Sequence, residues 1–216
     1  MKPTGKPHPV PHKTEVYTLR DWKEYLGESL LIIFSVLLAL FLTEWINKVH
    51  EKNDTRDMLE NIKAELVKNK AAETEQYQYE EKVLKNIDDA LKNPSLQQKI
   101  INNDEFHLGL IAPQGVTYRD LSSVAWDVAK GHDILGKVDF KVISQLTDLY
   151  IYQARVAKLE DEVAKILLSP DSRKLANAHV TLILIRDNYK AWAFDRAPFL
   201  LKKYDEAIKT LDEYNK

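Results

Sequence analysis

The chain divides by its pattern of apolar and charged positions. Between Glu28 and Glu44 lie 15 uncharged, mostly large apolar residues, SLLIIFSVLLALFLT. At 1.5 Å per residue this core is about 22 Å long, shorter than the roughly 30 Å hydrocarbon layer of a bilayer. It carries no polar stripe, so it does not suit a helix lying on a soluble core. Trp22, Tyr25 and Trp45 bracket it, and Trp22 to Trp45 spans about 34 Å of helix, a suitable distance between two interfacial belts. Glu28 and Glu44 sit about one turn inside the belts, where a carboxylate reaches headgroup water or is neutral. The pattern predicts a transmembrane helix over 25–46. Asp21, Glu24 and Glu28 precede the apolar core and no small-x-small site follows it, so an uncleaved signal anchor is expected. Ser35 and Ala39 form a small-xxx-small pair that lets two helices approach closely.

Ahead of this segment, residues 1–24 are expected to form a flexible, solvated arm. Pro3, Pro7, Pro9 and Pro11 disfavour helix there, and His8 and His12 read as solvated imidazoles.

Helical periodicity then runs to the end of the chain, defining one extramembrane domain over 47–216. Leu59, Ile62 and Leu66, then Val83, Ile87 and Leu91, fall at helical spacing. The polar stretch between them, KNKAAETEQYQYEEK, is rich in helix formers, and the repeated Glu and Lys along 51–92 read as a solvated face with i,i+4 ion pairs. One helix is expected from the membrane segment to about Lys92, kinked near Asn53-Asp54 and stopped by Asn93-Pro94. Residues 102–117 hold Gly109, Pro113 and Gly115 and read as a loop. Tyr118 to Lys130 reads as a short amphipathic helix with Gly131 as its C-cap. A single helix is expected over 138–168, then a break at Ser169-Pro170-Asp171. The last segment, 172–214, should be kinked or split by Pro198. No period-two strand of useful length is visible. The expected fold is all-α: a transmembrane helix continuing into a long helix, followed by an antiparallel bundle of four or five helices around one core.

Two segments carry a family resemblance. YLGESLLIIFSVLLALFLTEWINKVHEKNDTRDMLENIKAELVKN resembles a family of uncharacterised, single-pass, membrane-anchored helical bacterial proteins, through Gly27, Glu28, Ala39, Leu40, Trp45, Leu59, Leu66 and Asn69. WDVAKGHDILGKVDFKVISQLTDLY (126–150) is similar to that family's amphipathic helix, Gly-bearing turn and helix ending in Leu-Tyr. Thr43-Glu44 stands where many relatives carry Asn. The resemblance implies a membrane-anchored helical domain and assigns no substrate.

Composition changes the picture by exclusion. Cys is absent, which removes disulfides, thiolate catalysis and Cys-type metal centres. A formal net charge of -2 argues against a nucleic-acid binder that works by bulk electrostatics. The flanking charges favour a cytoplasmic N-terminus: Lys2, Lys6, Lys13, Arg20 and Lys23 before the apolar segment, against Lys48, Lys52, Arg56 and Lys63 after it. The extramembrane domain would then lie in the periplasm of a bacterial inner-membrane protein.

Candidate chemistry is sparse. There is no phosphate-binding Gly loop and no HExxH; His50, His107, His132 and His179 are scattered. Asp127, His132 and Asp133 lie near Gly131, where a solvated turn with polar caps is the expected reading in preference to acid–base chemistry. Asp104, Glu105 and Asp120 give too few oxygens for a Ca²⁺ loop. Trp126, Tyr150, Arg155, Arg186 and Trp192 are candidates for a cleft that would hold an anionic ligand. No catalysis and no cofactor are expected. The expected partners are the lipid bilayer and a protein partner or second copy, without nucleic acid. The leading function is a membrane-anchored interaction or accessory protein; the alternative is an extracytoplasmic, sensor-like ligand-binding module signalling through a partner.

Overall fold

The computed structural model describes residues 22–117 and 119–214. His8, His12 and the rest of the arm up to residue 21 lie outside the described residues. The fold is all-α apart from one two-residue hairpin. Helix α1 (Trp22–Leu91) is followed by α2 (Pro94–Ile100), strands β1 (Ile101–Asn102) and β2 (Glu105–Phe106), α3 (Val124–Gly131), α4 (Phe140–Ala157), α5 (Leu159–Leu168), α6 (Ala178–Tyr189) and α7 (Ala197–Tyr214). The chain forms two compact units, divided between Glu51 and Lys52.

In the first unit the helix begins at Trp22, so Trp22 to Glu24 belong to it and not to the arm. An 18-residue window in its apolar part has a mean hydropathy of 2.3 and no residue buried within the protein. Ser35 Oγ donates to the Leu31 carbonyl at 2.8 Å and Thr43 Oγ1 to the Ala39 carbonyl at 2.9 Å. Both hydroxyls are thereby satisfied inside the helix without water.

The second unit, 52–216, is the helical domain. Its part of α1 faces inward along a seam of alternating three- and four-residue steps: Thr55, Leu59, Ile62, Leu66, Asn69, Glu73, Gln76, Glu80, Val83, Ile87 and Ala90 are all buried. That spacing is the heptad seam of helix packing. Helical structure runs unbroken through Asn53-Asp54.

The apolar ends of the seam serve two separate clusters, where a single core was expected. Leu59, Ile62 and Leu66 pack with Trp126, Leu146, Leu149, Leu200, Tyr204 and Leu211. Val83, Ile87 and Ala90 pack with Ile100, Ile111, Leu159, Leu182, Ile185 and Tyr189. Accordingly α4 packs chiefly on α7, and α5 on α6. This change of partner explains why the expected 138–168 helix is broken at Lys158.

Local chemistry sets the remaining boundaries. Pro94 opens α2, and the Asn93 side chain accepts from the Ser95 and Leu96 amides, a standard N-cap. The stretch expected as plain loop contains the hairpin, with Asn103 at φ 50° and Asp104 at φ 59°; two positive φ values in a two-residue connection are what a type I′ turn demands. Gly131 stays inside α3, and Asp133 takes the left-handed turn at φ 59°. The last segment splits at Asp195-Arg196 after a π-helical turn (Lys190–Phe194). Pro198 then lies in the first turn of α7, where a missing N–H costs little.

Candidate functional site

The middle of the α1 seam carries no apolar residue: Asn69, Glu73, Gln76 and Glu80 follow one another there, each no more than 4% exposed. The expected solvated face is corrected at these positions and at Glu65, which is also buried. Residues 112–117 and 119–123 cross this polar stretch without regular structure before α3 begins, and their backbone groups need partners. Side chains of α1 supply them. Tyr79 donates its hydroxyl to the Gly115 carbonyl at 2.7 Å and accepts from the Gln114 amide at 3.1 Å. Gln76 Oε1 accepts from the Arg119 amide at 3.1 Å. Asn69 pairs with both backbone groups of Ser122. Glu65 accepts from Ser122 Oγ, the Ala125 amide and the Tyr150 hydroxyl, at 2.7, 2.9 and 2.7 Å. This strapping also explains why α3 starts at Val124, six residues later than expected. The network extends across the bundle: Gln153 accepts from Tyr204 at 2.7 Å and donates to the Ser122 carbonyl at 3.0 Å.

Two carboxylates stand out against this nearly complete pairing. Neither oxygen of Glu73, nor Oε2 of Glu80, has a hydrogen-bond partner, although both residues are 1% exposed. Glu80 Oε1 accepts from Gln76 at 2.9 Å. Burial, with the neighbouring Glu80 charge adding to it, pushes the Glu73 carboxyl up to about 8. Burial likewise raises Glu80 to about 7, against the pull of its Gln76 hydrogen bond. The two line a cavity of about 60 Å³, together with Gln76, Thr117, Asp120, Leu121, Val156, Leu159 and Glu160. Arg119 also borders it, but its guanidinium holds Glu75 at 2.6 Å.

The cleft expected from the aromatics is taken apart by the fold. Trp126 and Tyr150 do meet, stacked at 5.5 Å with rings 1° from parallel, in the first cluster. They floor a groove of about 530 Å³ between α3 and α4, bordered by Leu121, Leu135, Ile151 and Ala154. Trp192 instead packs on the second cluster beneath the Arg196 guanidinium, 4.9 Å from its ring centre. Arg186 lies by Asp88 and Asp187, and Arg155 is exposed beside the groove lining. Asp127 is engaged by Lys130 at 2.9 Å and Ser123 at 2.8 Å. The Lys130 contact, then Ser123, holds its carboxyl below the usual range. Among the described residues no group of three or more His, Asp or Glu is placed to hold a metal ion.

In the first unit, Trp22, Tyr25 and Trp45 are 67, 68 and 59% exposed. Glu44 pairs with Lys48 at 3.3 Å, and Glu28 is exposed. Ser35 and Ala39 lie on the same helix face, one turn apart.

The buried acids were legible in principle. The apolar positions 59, 62 and 66 keep phase with 83, 87 and 90, and carrying that phase through the polar stretch lands on 69, 73, 76 and 80. Comparison with family models, with curated proteins and with solved structures finds nothing that matches this chain.

Proposed function

We propose that the chain is a single-pass, membrane-anchored accessory protein of the bacterial inner membrane. Its N-terminus is cytoplasmic, and its helical domain engages a protein partner on the periplasmic side without catalysing a reaction. The observation that carries this reading is an apolar helix covered by nothing: Leu30, Phe34, Leu37, Leu40 and Phe41 are 59 to 68% exposed. Burying such a side chain is worth about 1.5–3 kcal/mol. Over the whole stretch the unmet demand is on the order of 20 kcal/mol, more than the 5–15 kcal/mol net stability of an ordinary domain. Lipid meets it, and the aromatic residues at both ends suit the interface. The resemblance to single-pass bacterial proteins and the five-to-four excess of Lys and Arg ahead of the span support the bacterial and topological parts.

The test is extraction. Full-length protein should stay in the pellet after an alkaline wash. The double substitution Leu37→Arg, Leu38→Arg should release it, since each central Arg costs about 2.5–3.5 kcal/mol. Wild type in the supernatant would sink the anchor. The chain lacks Cys, so single Cys at Lys6 and at Lys141 can be labelled from outside intact spheroplasts; label on Lys6→Cys alone would invert the topology. Crosslinking in intact cells should then capture one stoichiometric membrane partner.

A second reading is favoured by the groove over Trp126 and Tyr150. Its roughly 530 Å³ matches a small-molecule site, as a ligand-binding module signalling through a partner would need. Saturable quenching of tryptophan fluorescence by a small apolar ligand, lost in Trp126→Leu, would favour this reading over the first.

A further inference from the structure

Once ionised, the unpartnered groups of the Glu73 cavity are all acceptors. The donors on its wall are engaged elsewhere. The Gln76 amide serves Glu80 Oε1, the Thr117 hydroxyl serves Glu160 at 3.1 Å, and the Arg119 guanidinium serves Glu75. Three acceptor oxygens on two side chains that are 1% exposed are left over. Asp120 and Glu160 add negative charge at the rim, while Leu121, Val156, Ala157 and Leu159 form an apolar wall. A guest that satisfies such a surface donates hydrogen bonds and accepts none. Among small species that is an ammonium group. The volume of about 60 Å³ admits a small guest.

We propose that this cavity binds one small alkylammonium cation of methylammonium size, its N–H groups donating to Glu73 and its carbon resting on Val156 and Leu159. Glu80 supplies a second negative charge along the seam. The charged and titratable groups facing the pair come from every side. Arg119 and Asp120 lie on the crossing segment and Glu160 on α5, beside the Gln76 amide of α1. The Tyr189 hydroxyl from α6 and the Tyr204 hydroxyl from α7 lie within electrostatic reach. The site lies wholly in the helical domain and does not depend on the membrane reading.

The guest competes with a proton for Glu73, which gives the test its signature. Full-length protein in detergent micelles is unfolded thermally at about pH 9, above the Glu73 value of about 8. Chlorides of methylammonium, potassium and tetramethylammonium are compared at equal ionic strength. Methylammonium alone should raise Tm, saturably, and its apparent affinity should fall about tenfold per pH unit below that value. Glu73→Gln keeps the side-chain volume and should abolish the response; Glu81→Gln, on the exposed face, should leave it intact. If Glu73→Gln does not fold, Glu80→Gln should weaken the affinity several-fold. Equal Tm gains in potassium and methylammonium would overturn the site, as would a response surviving in Glu73→Gln. Tm that follows pH alone, with no cation dependence, would also overturn it and leave Glu73 as a simply protonated acid.

Discussion

Asn69 and Ser122 form a closed reciprocal pair across 53 residues of sequence. The Asn69 amide nitrogen donates to the Ser122 carbonyl at 2.7 Å, and its oxygen accepts the Ser122 N–H at 2.9 Å. A side-chain amide here does what a neighbouring strand would do for an isolated backbone. Asn69→Leu fills the seam but removes the acceptor of the Ser122 N–H, while the Ser122 carbonyl keeps the Gln153 amide. It should cost about 1–2 kcal/mol in urea unfolding, one unmade bond at about 1–3 kcal/mol less the gain from burying Leu. A neutral result would mean that the crossing segment finds water or other partners.

Glu65 holds three donors, two of them from the 122–125 segment and one from Tyr150. Glu65→Ala should therefore cost more than Tyr150→Phe, roughly 3 against 1 kcal/mol. Burial and the Glu65 hydrogen bond both raise the Tyr150 hydroxyl, so ultraviolet titration should show this tyrosine silent until the domain unfolds.

Stability should fall as pH rises through the neutral range. The Glu73 carboxyl is held at about 8 and Glu80 at about 7 in the folded chain, against a reference of 4.5. Between the reference and those values the folded state binds more protons than the unfolded state, so alkalinity favours unfolding. Without added amines, Tm should decline from about pH 5 to about pH 8 and flatten above both values. The double variant Glu73→Met, Glu80→Gln should lose most of that slope. At about pH 8, Glu73→Met alone should be neutral or stabilising by roughly 1–4 kcal/mol, because it removes an unpaired buried acid.

Asp133 occupies the left-handed region at φ 59°, which costs a non-glycine residue conformational energy. Asp133→Gly should be neutral or stabilising by a few tenths of a kcal/mol. Asn93→Ala should cost about 1 kcal/mol by removing the two-amide cap of α2. Thermal unfolding of the two variants side by side checks both.

The long apolar helix and the all-α class followed from the chain because they rest on local pattern alone. The run from Leu30 to Leu42 lacks a polar face, and 59, 62, 66 and 83, 87 lie at helical spacing. What stayed hidden depends on partners distant in sequence. Charge along 69–80 reads as solvated unless the apolar phase is carried across it. The break at Lys158 exists because α4 and α5 pack on different helices, a fact written in neither segment. Trp126 and Tyr150 sit on α3 and α4, which meet, whereas Trp192 belongs to the other cluster. No spacing rule distinguishes those outcomes.

The two clusters differ in how far along the chain they must wait for their members. The Val83–Ile87–Ala90 cluster closes with residues no later than Ala193. The Leu59–Ile62–Leu66 cluster needs Leu200, Tyr204 and Leu211 from the last helix. A ribosome therefore releases all the parts of one cluster before it has made the last helix of the other. Early in the life of the molecule, the half of the seam nearest the apolar segment is only partly covered, with Leu59, Ile62 and Leu66 able to meet Trp126, Leu146 and Leu149 but not yet Leu200, Tyr204 and Leu211, beside a neighbour whose parts are all made. That interval is where a chaperone would find something to hold, and where a truncation ahead of Ala197 would leave a half-built protein instead of an unfolded one.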